Sequence, residues 1–332
     1  MQKRRLGASG PEVGEIGLGA MGMSDFYGPA DRTESIATLH AALDSGATLI
    51  DTGDFYGSGH NELLIAEALK GRRRDSYQLS VKFGALRDPA AGFVGYDGRP
   101  EAVKNFLAYS MKRLGVDVID IYRPARLDPK VPIEETVGAI ADMVKAGHVR
   151  AIGLSEVNSA TIRKAAAVHP ICDLQIEYSL LTRMIEQDIL PACRELKIGI
   201  TAYGVLARGL ISGHWSKARS TGGDFRAFSS RFAGANLDHN LKLVEGLRRV
   251  AEAKGASVAA TAIAWVLAQG KDIVPLVGAR KRTQWAESVA AAGVKLTAAD
   301  LAAIGEAIPK GAEKGARYPD QAMAHLDSEK RA

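Results

Sequence analysis

Cysteine, long apolar runs and paired metal ligands are scarce in this chain of 332 residues. The two cysteines, Cys172 and Cys193, lie far apart with no histidine pattern around them, which predicts structural thiols in a reducing compartment. No apolar run reaches about 18 residues, so no transmembrane helix is expected. The first residues, MQKRR, lead into Gly and Pro and do not form an apolar signal core. We therefore expect a cytoplasmic protein that does not bind a membrane.

Several motifs of known chemistry are also absent. The seven histidines show no H-x-x-x-H spacing, so no catalytic metal is expected. The sequence contains neither a P-loop nor a G-x-S-x-G elbow. The formal charge is only +5, and the basic runs are short and far apart, which makes nucleic-acid binding the poorer interpretation. A small molecule is the expected partner, and the sequence leaves open whether the chain forms a homo-oligomer.

Short β-branched runs alternate with amphipathic helical segments along the chain. Hydrophobic residues make up 46% and charged residues 24%, as in globular proteins, which excludes a disordered or coiled-coil chain. Eight strands are predicted, at residues 16–23, 48–51, 79–83, 118–122, 151–155, 174–177, 199–203 and 273–277. Helices are predicted at residues 32–45, 61–69, 101–114, 134–146, 160–167, 186–196, 240–254 and 283–292.

Repeated strand–helix units require parallel strands, and eight units match a closed (β/α)8 TIM barrel better than an open sheet. No Pro- or Ser-rich linker divides residues 1–332, so we interpret them as a single α/β domain. The N-terminal segment is expected to cap the bottom of the barrel. The irregular stretch 208–236, after the seventh strand, predicts a functional loop. The polar tail after Lys310 either folds over the barrel mouth or frays.

One nucleotide-binding pattern is interpreted as a coincidence. Residues 17–22, GLGAMG, match G-x-G-x-x-G, but a dinucleotide fingerprint must leave a strand and open a helix at once. The residues that follow, MSDFYGP, start no helix. The glycines therefore predict a tightly packed first strand.

Two neighbouring strands end in charged residues. The segment IDTGDFYGSGHNE, residues 50–62, places Asp51 at the end of the second strand and Tyr56 in the loop after it. The third strand ends at Lys82. Because neighbouring strands lie about 5 Å apart, Asp51 and Lys82 are expected to meet at the barrel mouth. A cation beside a phenol lowers its pKa, which would make Tyr56 an acid or base near neutral pH. The alternative is a structural ion pair with a surface tyrosine.

A basic cluster follows the eighth strand. The segment IVPLVGARKR, residues 273–282, joins this strand to the next helix, where barrels often bind phosphate through backbone N–H groups. The cluster predicts a site for a phosphate monoester, because guanidinium groups bind such dianions bidentately. The alternative is a solvated basic helix start, which opposes the helix dipole.

In these segments the chain resembles the aldo-keto reductase superfamily. The matching motifs, in the family's order, are residues 50–62, Lys82, VPIEET at 131–136, GHVRAIGLS at 147–155, QIEYS at 175–179 and the strand-8 segment. The resemblance implies a (β/α)8 barrel that binds NADPH in extended form and reduces aldehydes or ketones. It makes Tyr56 the proton donor, with Lys82 tuning it and Asp51 holding Lys82.

The resemblance also assigns the cofactor site. Ser155 and Gln175 would bond the nicotinamide amide, and Tyr203 would stack on its ring. The segment 204–210, with Gly204, Leu206 and Arg208, would cover the pyrophosphate. The strand-8 segment would bind the 2′-phosphate and adenine through Gly278, Arg280, Gln284, Glu287 and Ser288. Position 156, often Asn in the family, is Glu156 here.

One departure concerns the substrate pocket, to which we assign Met21, Arg123 and Ala125. In the segment YRPARLDP, residues 122–129, Ala125 stands where the family usually has a catalytic His, and alanine can neither donate a hydrogen bond nor titrate. Three interpretations are open: Arg123 compensates, the protein is a slow redox sensor, or the His was removed by engineering. We prefer the first. The two functional hypotheses are therefore an NADPH-dependent carbonyl reductase and an NADP(H)-binding regulatory subunit with low turnover.

Overall fold

The computed structural model describes residues 1–216 and 224–330, and within them eight parallel strands close into a barrel. In chain order the strands are β1 (Lys3–Arg5), β2 (Glu12–Gly14), β3 (Gly17–Gly19), β4 (Leu49–Gly53), β5 (Gln78–Phe83), β6 (Ala85–Arg87), β7 (Phe93–Tyr96), β8 (Ile119–Pro124), β9 (Val149–Ser155), β10 (Ile171–Glu177), β11 (Gly199–Tyr203) and β12 (Ile273–Gly278). The barrel consists of β3, β4, β5, β8, β9, β10, β11 and β12, and β12 pairs with β3 to close it. The predicted TIM barrel is confirmed.

Helices cover the outside of the barrel. In the described residues they are α1 (Arg32–Asp44), α2 (His60–Leu69), α3 (Pro100–Leu114), α4 (Ile133–Lys145), α5 (Ser159–Val168), α6 (Ile189–Glu195), α7 (Gly234–Ala253), α8 (Val258–Ala268), α9 (Arg282–Val289), α10 (Ala298–Ala307) and α11 (Asp320–Met323). Several begin at a side chain that accepts a backbone N–H of the first turn, as N-cap residues do: Asp31, Asn158, Ser257 and Thr297.

The first barrel strand is shorter than predicted. The N–H of Ala20 still bonds to the carbonyl of Asp51, but the chain then turns through a 3-10 helix at Met21–Met23. The next helix, α1, begins only at Arg32. Gly17 and Gly19 therefore pack in the strand, Gly22 lies in the 3-10 turn, and none of the three opens α1.

Three helices of the described residues were not anticipated, α8, α10 and the four-residue α11. The sequence of α8, VAATAIAWVLA, is apolar almost throughout, and its residues from Val258 to Val266 are all buried. It has no polar face because α7, α9 and β12 all pack against it. A periodicity search fails on such a segment, since it depends on the contrast between two faces.

The N-terminal hairpin caps the bottom of the barrel, as expected. β1 pairs antiparallel with β2, and Leu6 and Val13 pack with Leu49, Ile121 and Cys172 at the amino ends of the strands. The N–H of Ala8 bonds to the carbonyl of Lys197.

The C-terminal tail folds over the opposite end, the mouth, where the barrel strands have their carboxyl ends. Arg317 in the tail is 3% exposed and bonds to Glu156, which directly follows β9. Asp327 accepts hydrogen bonds from the N–H of Asn158 and the hydroxyl of Thr161, at the start of α5. Of the two outcomes expected for the tail, the structure has the ordered one.

The long loop after β11 is only partly described, because residues 217–223 of the predicted stretch lie outside the described residues. Its described part contains short 3-10 helices at Ala207–Gly209, Phe225–Phe228 and Ser230–Phe232. In the described ranges no single helix is long and apolar enough to cross a membrane, although α7 and α8, bent by 86° against each other, pass that test as a pair.

Candidate active site

Four polar side chains meet inside the barrel near the carboxyl ends of β4, β5 and β10. The Lys82 ammonium donates hydrogen bonds to the Asp51 carboxylate and, over 2.9 Å, to Oε1 of Gln175. The other oxygen of Asp51 accepts from Ser80 Oγ and Gln175 Nε2, both at 2.7 Å. None of the four side chains is more than 4% exposed. The parallel register brings Asp51 and Lys82 together as the sequence predicted.

Tyr56 lies over this network in the loop between β4 and α2. Lys82 Nζ is 5.2 Å from the centroid of the Tyr56 ring, and the tyrosine is 6% exposed. The loop takes a left-handed course through Gly57, Ser58 and Gly59, with φ of 55°, 52° and 94°. These positive φ angles favour glycine, which occupies two of the three positions. The loop therefore holds the phenol at the barrel mouth, which excludes the alternative of a surface tyrosine.

The side chain of Asn61 secures the base of that loop. Its Oδ1 accepts a hydrogen bond from Thr52 Oγ1 over 2.7 Å, and its Nδ2 donates to the carbonyl of Ala20 over 2.9 Å. The N–H of Asp54 bonds to the carbonyl of Lys82. The segment that carries Tyr56 is thus tied to three barrel strands.

The electrostatic environment of the phenol differs from the expectation. Burial raises the pKa of Tyr56 well above its ordinary value, the Asp51 carboxylate raises it further, and Arg126 acts against them. The lowered pKa that the sequence predicted is wrong, because burial of the phenol and the Asp51 charge act in the opposite direction. Burial lowers the pKa of Lys82 to about 8, while Asp51 favours its charged form. Such a phenol is protonated at neutral pH and is suited to donate a proton rather than to accept one.

Two buried acidic side chains, Asp54 and Glu62, lie in the tyrosine loop and in α2, which follows it. Asp54 and Glu62 are 8% and 0% exposed, and Glu62 pairs with Arg113. Burial and the nearby Glu62 raise the pKa of Asp54 to about 8, against smaller opposing contributions from the N–H groups of Gly84 and Phe55. Asp54 therefore keeps its proton in the native protein over a pH range in which an exposed carboxyl is ionised.

We expect Asp54→Asn to raise the thermal midpoint, Tm, by an amount that grows with pH. Between about pH 4 and pH 8 the native protein binds the proton that the unfolded chain releases, so stability falls as pH rises through this window. Asparagine does not titrate and so removes this loss of stability. Scanning calorimetry from about pH 5.5 to pH 8.5 measures the Tm of both proteins, with Asp117→Asn, at an exposed position, as control. A change in Tm that is the same at every pH would contradict the assignment.

Arg123 lies inside the barrel rather than at the mouth. Its guanidinium is 0% exposed, donates to Ser80 Oγ over 2.9 Å and lies 3.0 Å from the Asp173 carboxylate. Gly153 makes room for it, because a Cβ there would come within 3.0 Å of the guanidinium carbon. The geometry therefore brings Arg123 toward the Asp51 network and does not place it at the position that a residue-125 side chain would occupy.

Ala125 and its neighbour Arg126 form the mouth beyond β8. Ala125 is 2% exposed, and its N–H bonds to the carbonyl of Phe83. Arg126 is partly buried and donates to the Ala125 carbonyl over 2.6 Å and to Ser155 Oγ over 3.4 Å. Sequence reasoning missed Arg126. The segment YRPARLDP contains both arginines, and the sequence analysis assigned the compensating role to Arg123 instead of Arg126.

Aromatic side chains form a wall beside Tyr56, and the sequence analysis did not single them out. The ring of Tyr56 lies 4.7 Å from that of Phe55 and 6.1 Å from that of Phe26. Phe26 stacks on Phe93 from the β6–β7 hairpin at 5.9 Å. Met21, predicted in the substrate pocket, is partly buried in the turn after β3, next to this wall. The wall makes the approach to Tyr56 predominantly apolar.

The residues assigned to the nicotinamide end lie at neighbouring strand ends. Ser155 and Gln175 are register partners on β9 and β10, and Gln175 and Thr201 pair on β10 and β11. Tyr203 ends β11 and is partly exposed. Its hydroxyl donates to Glu156 over 2.6 Å and lies 2.9 Å from that of Tyr318. Gln175 is engaged by Asp51 and Lys82, so the structure links it to the proton-donor side as well.

Glu156 anchors the tail at this end. Its backbone has a left-handed φ of 52°, and its carboxylate accepts hydrogen bonds from Arg317, Ser328 and Tyr203. Burial acts to raise its pKa, but Arg317 and the other donors hold the pKa far below its usual range. Glutamate at this position therefore joins β9 to the C-terminal tail.

The segment after β11 makes a compact turn at the mouth. Gly204 has a φ of 65°, and a Cβ there would lie 3.0 Å from Glu177, while Leu206 is partly buried. Arg208 pairs with Glu177 over 3.0 Å and lies above the ring of Tyr318 at 4.3 Å. This segment closes one side of the mouth together with the tail.

The strand-8 cluster lies where β12 passes into α9. Arg280 donates to the carbonyls of Tyr27, Gly28 and Pro29, and its own N–H bonds to Gln284 Oε1. Ser288 is 3% exposed and donates to the Gln284 carbonyl.

Two further contacts lie next to the cluster. Glu287 accepts from His214 over 2.9 Å, which ties α9 to the loop after β11. Arg282 pairs with Glu34 over 2.9 Å, which supplies a counter-charge for the basic helix start. Gly278 is exposed, and a Cβ there would meet no atom nearer than 3.9 Å. At the first turn of α9, Lys281 supplies no side-chain cap, and the N–H of Arg282 donates to the Glu34 carboxylate over 2.8 Å.

The thiols of Cys172 and Cys193 are free and buried. Among residues 1–216 and 224–330, no group of three or more His, Cys, Asp or Glu side chains is arranged to hold a metal ion. A cleft of about 610 Å³ lies at the amino ends of the strands, lined in part by Lys3, Arg5 and Lys197. It contains none of the predicted site residues.

Comparisons with known proteins agree with this geometry. Residues 15–309 match the model of the aldo/keto reductase family. A protein of Glycine max named probable aldo-keto reductase 1 is 41% identical over 321 residues, which cover 96% of this chain and 92% of the relative. The glycerol dehydrogenase AKR11B4 from Gluconobacter oxydans superposes with a TM-score of 0.85 at 28% identity, covering 93% of this chain and 95% of that one. The aldo-keto reductase AKR11C1 from Bacillus halodurans gives 0.76 at 26% identity, covering 93% and 96%.

Proposed function

The chain belongs to the aldo/keto reductase family and is an oxidoreductase that acts on carbonyl groups with a nicotinamide cofactor, and from this premise we propose that it reduces an aldehyde or ketone with NADPH and with Tyr56 as proton donor. The observation that carries the proposal is the buried phenol of Tyr56, whose ring centroid lies 5.2 Å from the Lys82 ammonium and whose ring packs against that of Phe55.

The residues at the mouth fit such a cofactor. The turn from β12 into α9 suits a phosphate, because the Arg280 guanidinium favours an anion there and the N–H of Arg282 already binds one, the Glu34 carboxylate. At the other end, the partly exposed ring of Tyr203 with Ser155 and Gln175 behind it suits the nicotinamide. When bound, the cofactor supplies the hydride.

The chain's own part in the reaction is to hold the carbonyl and to protonate its oxygen. The phenol of Tyr56 is protonated at neutral pH and donates its proton as the carbonyl oxygen gains charge. Lys82 compensates the phenolate that is left, and Asp51 with Gln175 keeps the ammonium in position. The aromatic wall and the folded tail limit access of water.

The proposal is tested by following NADPH oxidation with a panel of aromatic and aliphatic aldehydes and ketones. Multiple turnovers with at least one carbonyl compound are expected. Tight NADPH retention with no turnover on any of them would contradict the proposal and favour the regulatory subunit. The substrate class is expected to be apolar around the carbonyl, because the wall beside Tyr56 is aromatic. We also propose that the protein acts in the cytoplasm.

Arg280→Ala is expected to weaken NADPH binding by about 10- to 100-fold and NADH binding much less. A charge-assisted hydrogen bond is worth roughly 1.5–3 kcal/mol, and only NADPH carries the 2′-phosphate that Arg280 would bind. Fluorescence titration with both cofactors measures the difference. Arg282→Ala is the matched control, since Arg282 is exposed and paired with Glu34. Equal losses for NADPH and NADH would remove Arg280 from this role.

A further inference from the structure

Arg126 differs from the other arginines around the mouth in its partners. Arg123, Arg208 and Arg317 each lie within 3.0 Å of a carboxylate. The hydrogen bonds of Arg126 go to the Ala125 carbonyl and, weakly, to Ser155 Oγ. In the described part of the chain, Arg126 forms no ion pair. A partly buried guanidinium without a carboxylate partner keeps most of its donors for another acceptor.

This guanidinium lies at the strand ends that carry the Asp51–Lys82 network. It donates to Ser155 Oγ over 3.4 Å, Ser155 is the register partner of Gln175, and Gln175 accepts a hydrogen bond from Lys82. Arg126 lowers the pKa of Tyr56 against burial and the Asp51 charge, and it also lowers that of the Lys82 ammonium. Burial lowers the pKa of Arg126 itself, but Tyr203, Tyr318 and Glu156 together raise it above its usual value. Arg126 is therefore permanently charged, and its charge acts on Tyr56 and on Tyr203 at the end of β11.

No other described residue of the β8 end can supply a donor at this place. Ala125 has only a methyl group there. The Arg123 guanidinium is 0% exposed and is held inside the barrel by Ser80 and Asp173. The small side chain at position 125 leaves the adjacent space to Arg126.

We propose that Arg126 donates a hydrogen bond to the substrate's carbonyl oxygen beside Tyr56, and so supplies the second donor that Ala125 lacks. This inference rests on the proposed function. As hydride adds to the carbonyl carbon, the π bond breaks and its electron pair moves to the oxygen, which takes the proton of Tyr56. Arg126 stays protonated throughout and stabilises the negative charge that develops on the oxygen. It is a catalytic residue in this account because it contacts the reacting atom.

A different role would use the same charge at a distance from the reaction. A guanidinium at the mouth can bind a carboxylate elsewhere on the substrate, in which case it selects acidic carbonyl compounds and does not act on the carbonyl. The two roles differ in what happens to a neutral substrate when Arg126 is removed. Benzaldehyde and 4-carboxybenzaldehyde differ by that carboxylate alone and serve as the pair of probes.

The experiment measures kcat and KM of wild type, Arg126→Ala and Arg126→Lys on both probes with NADPH. Removing one donor from an oxyanion site typically costs about 10²–10³ in kcat, so Arg126→Ala is expected to lose about this factor on both aldehydes alike. Arg126→Lys is expected to recover part of kcat, and added guanidinium ion is expected to rescue Arg126→Ala. The dissociation constant of NADPH, from fluorescence titration, is expected to stay near the wild-type value. Arg99→Ala, an exposed arginine paired with Asp97, is the matched control.

Each contrary outcome has its own meaning. A loss confined to 4-carboxybenzaldehyde would overturn the inference in favour of distant anchoring. A weakened NADPH affinity with unchanged kcat would overturn it in favour of a cofactor contact through Ser155. Wild-type kcat in Arg126→Ala would overturn it outright. If the wild type turns over neither aldehyde nor any member of the carbonyl panel, the proposed function fails and the inference fails with it. If Arg126→Ala does not fold, lack of kcat loss in the folded Arg126→Lys overturns the inference.

Discussion

Tyr56→Phe is expected to lower kcat for carbonyl reduction by about 10² or more, the range that a well-placed general acid supplies. The substitution removes the hydroxyl and keeps the ring, which packs edge-on against Phe55 and Phe26. The fold and the cofactor site are therefore expected to stay intact. No histidine stands at position 125 to act as the acid instead. The measurement is kcat on the best carbonyl substrate found.

The control for this variant is Tyr109→Phe, which makes the same chemical change at a tyrosine that is 56% exposed on α3. It is expected to leave kcat and the NADPH dissociation constant unchanged. Wild-type kcat in Tyr56→Phe would rule out reduction by a tyrosine proton donor. The buried phenol would then be a packing residue, and the proposed reaction would lose its acid.

Lys82→Met is expected to reduce activity sharply and to destabilise the fold while NADPH still binds. Removing one partner of a buried ion pair typically costs about 3–5 kcal/mol, because the remaining charge is left uncompensated. That charge is Asp51, which already raises the pKa of Tyr56 and would do so without opposition. The cofactor contacts proposed for the β11 and β12 loops do not involve Lys82. Rate assays, thermal denaturation and NADPH titration together separate these effects.

The double variant Asp51→Asn, Lys82→Met distinguishes a catalytic role from a structural one. It removes both charges, so much of the lost stability is expected to return, whereas activity is expected to stay low. If the double variant recovers activity along with stability, the ion pair serves the fold alone. If NADPH binding collapses together with the rate in the single variant, Lys82 is part of the cofactor site.

The barrel was predictable because its strands carry a strong local signal. Most strands are short apolar, β-branched runs between turn residues, and eight strand–helix units match a closed parallel barrel better than an open sheet. Helix α8 was not predictable in the same way, since it is apolar almost throughout and presents no second face to the pattern. The ordering of the tail was equally hidden. It depends on the contact of Arg317 with Glu156, which are 161 residues apart in the chain.

The sequence predicted those parts of the site that the ends of neighbouring strands determine. Asp51 and Lys82 follow from neighbouring parallel strands. The sequence does not predict that the Arg123 side chain points into the barrel, because this depends on the space that Gly153 leaves there. It therefore could not show that Arg126, and not Arg123, lies at the mouth. The raised pKa of Tyr56 depends on burial, which a sequence motif does not report.

The most direct test of the central claim is the transfer of deuterium from NADPH labelled at both C4 positions to benzaldehyde or the best substrate of the panel. Mass spectrometry of the alcohol and a parallel assay of NADP⁺ measure it. The account predicts many turnovers, one NADP⁺ for each alcohol, and one deuterium on each carbinol carbon. An alcohol without deuterium, or a reaction that stops after a single turnover with the nucleotide still bound, would contradict it.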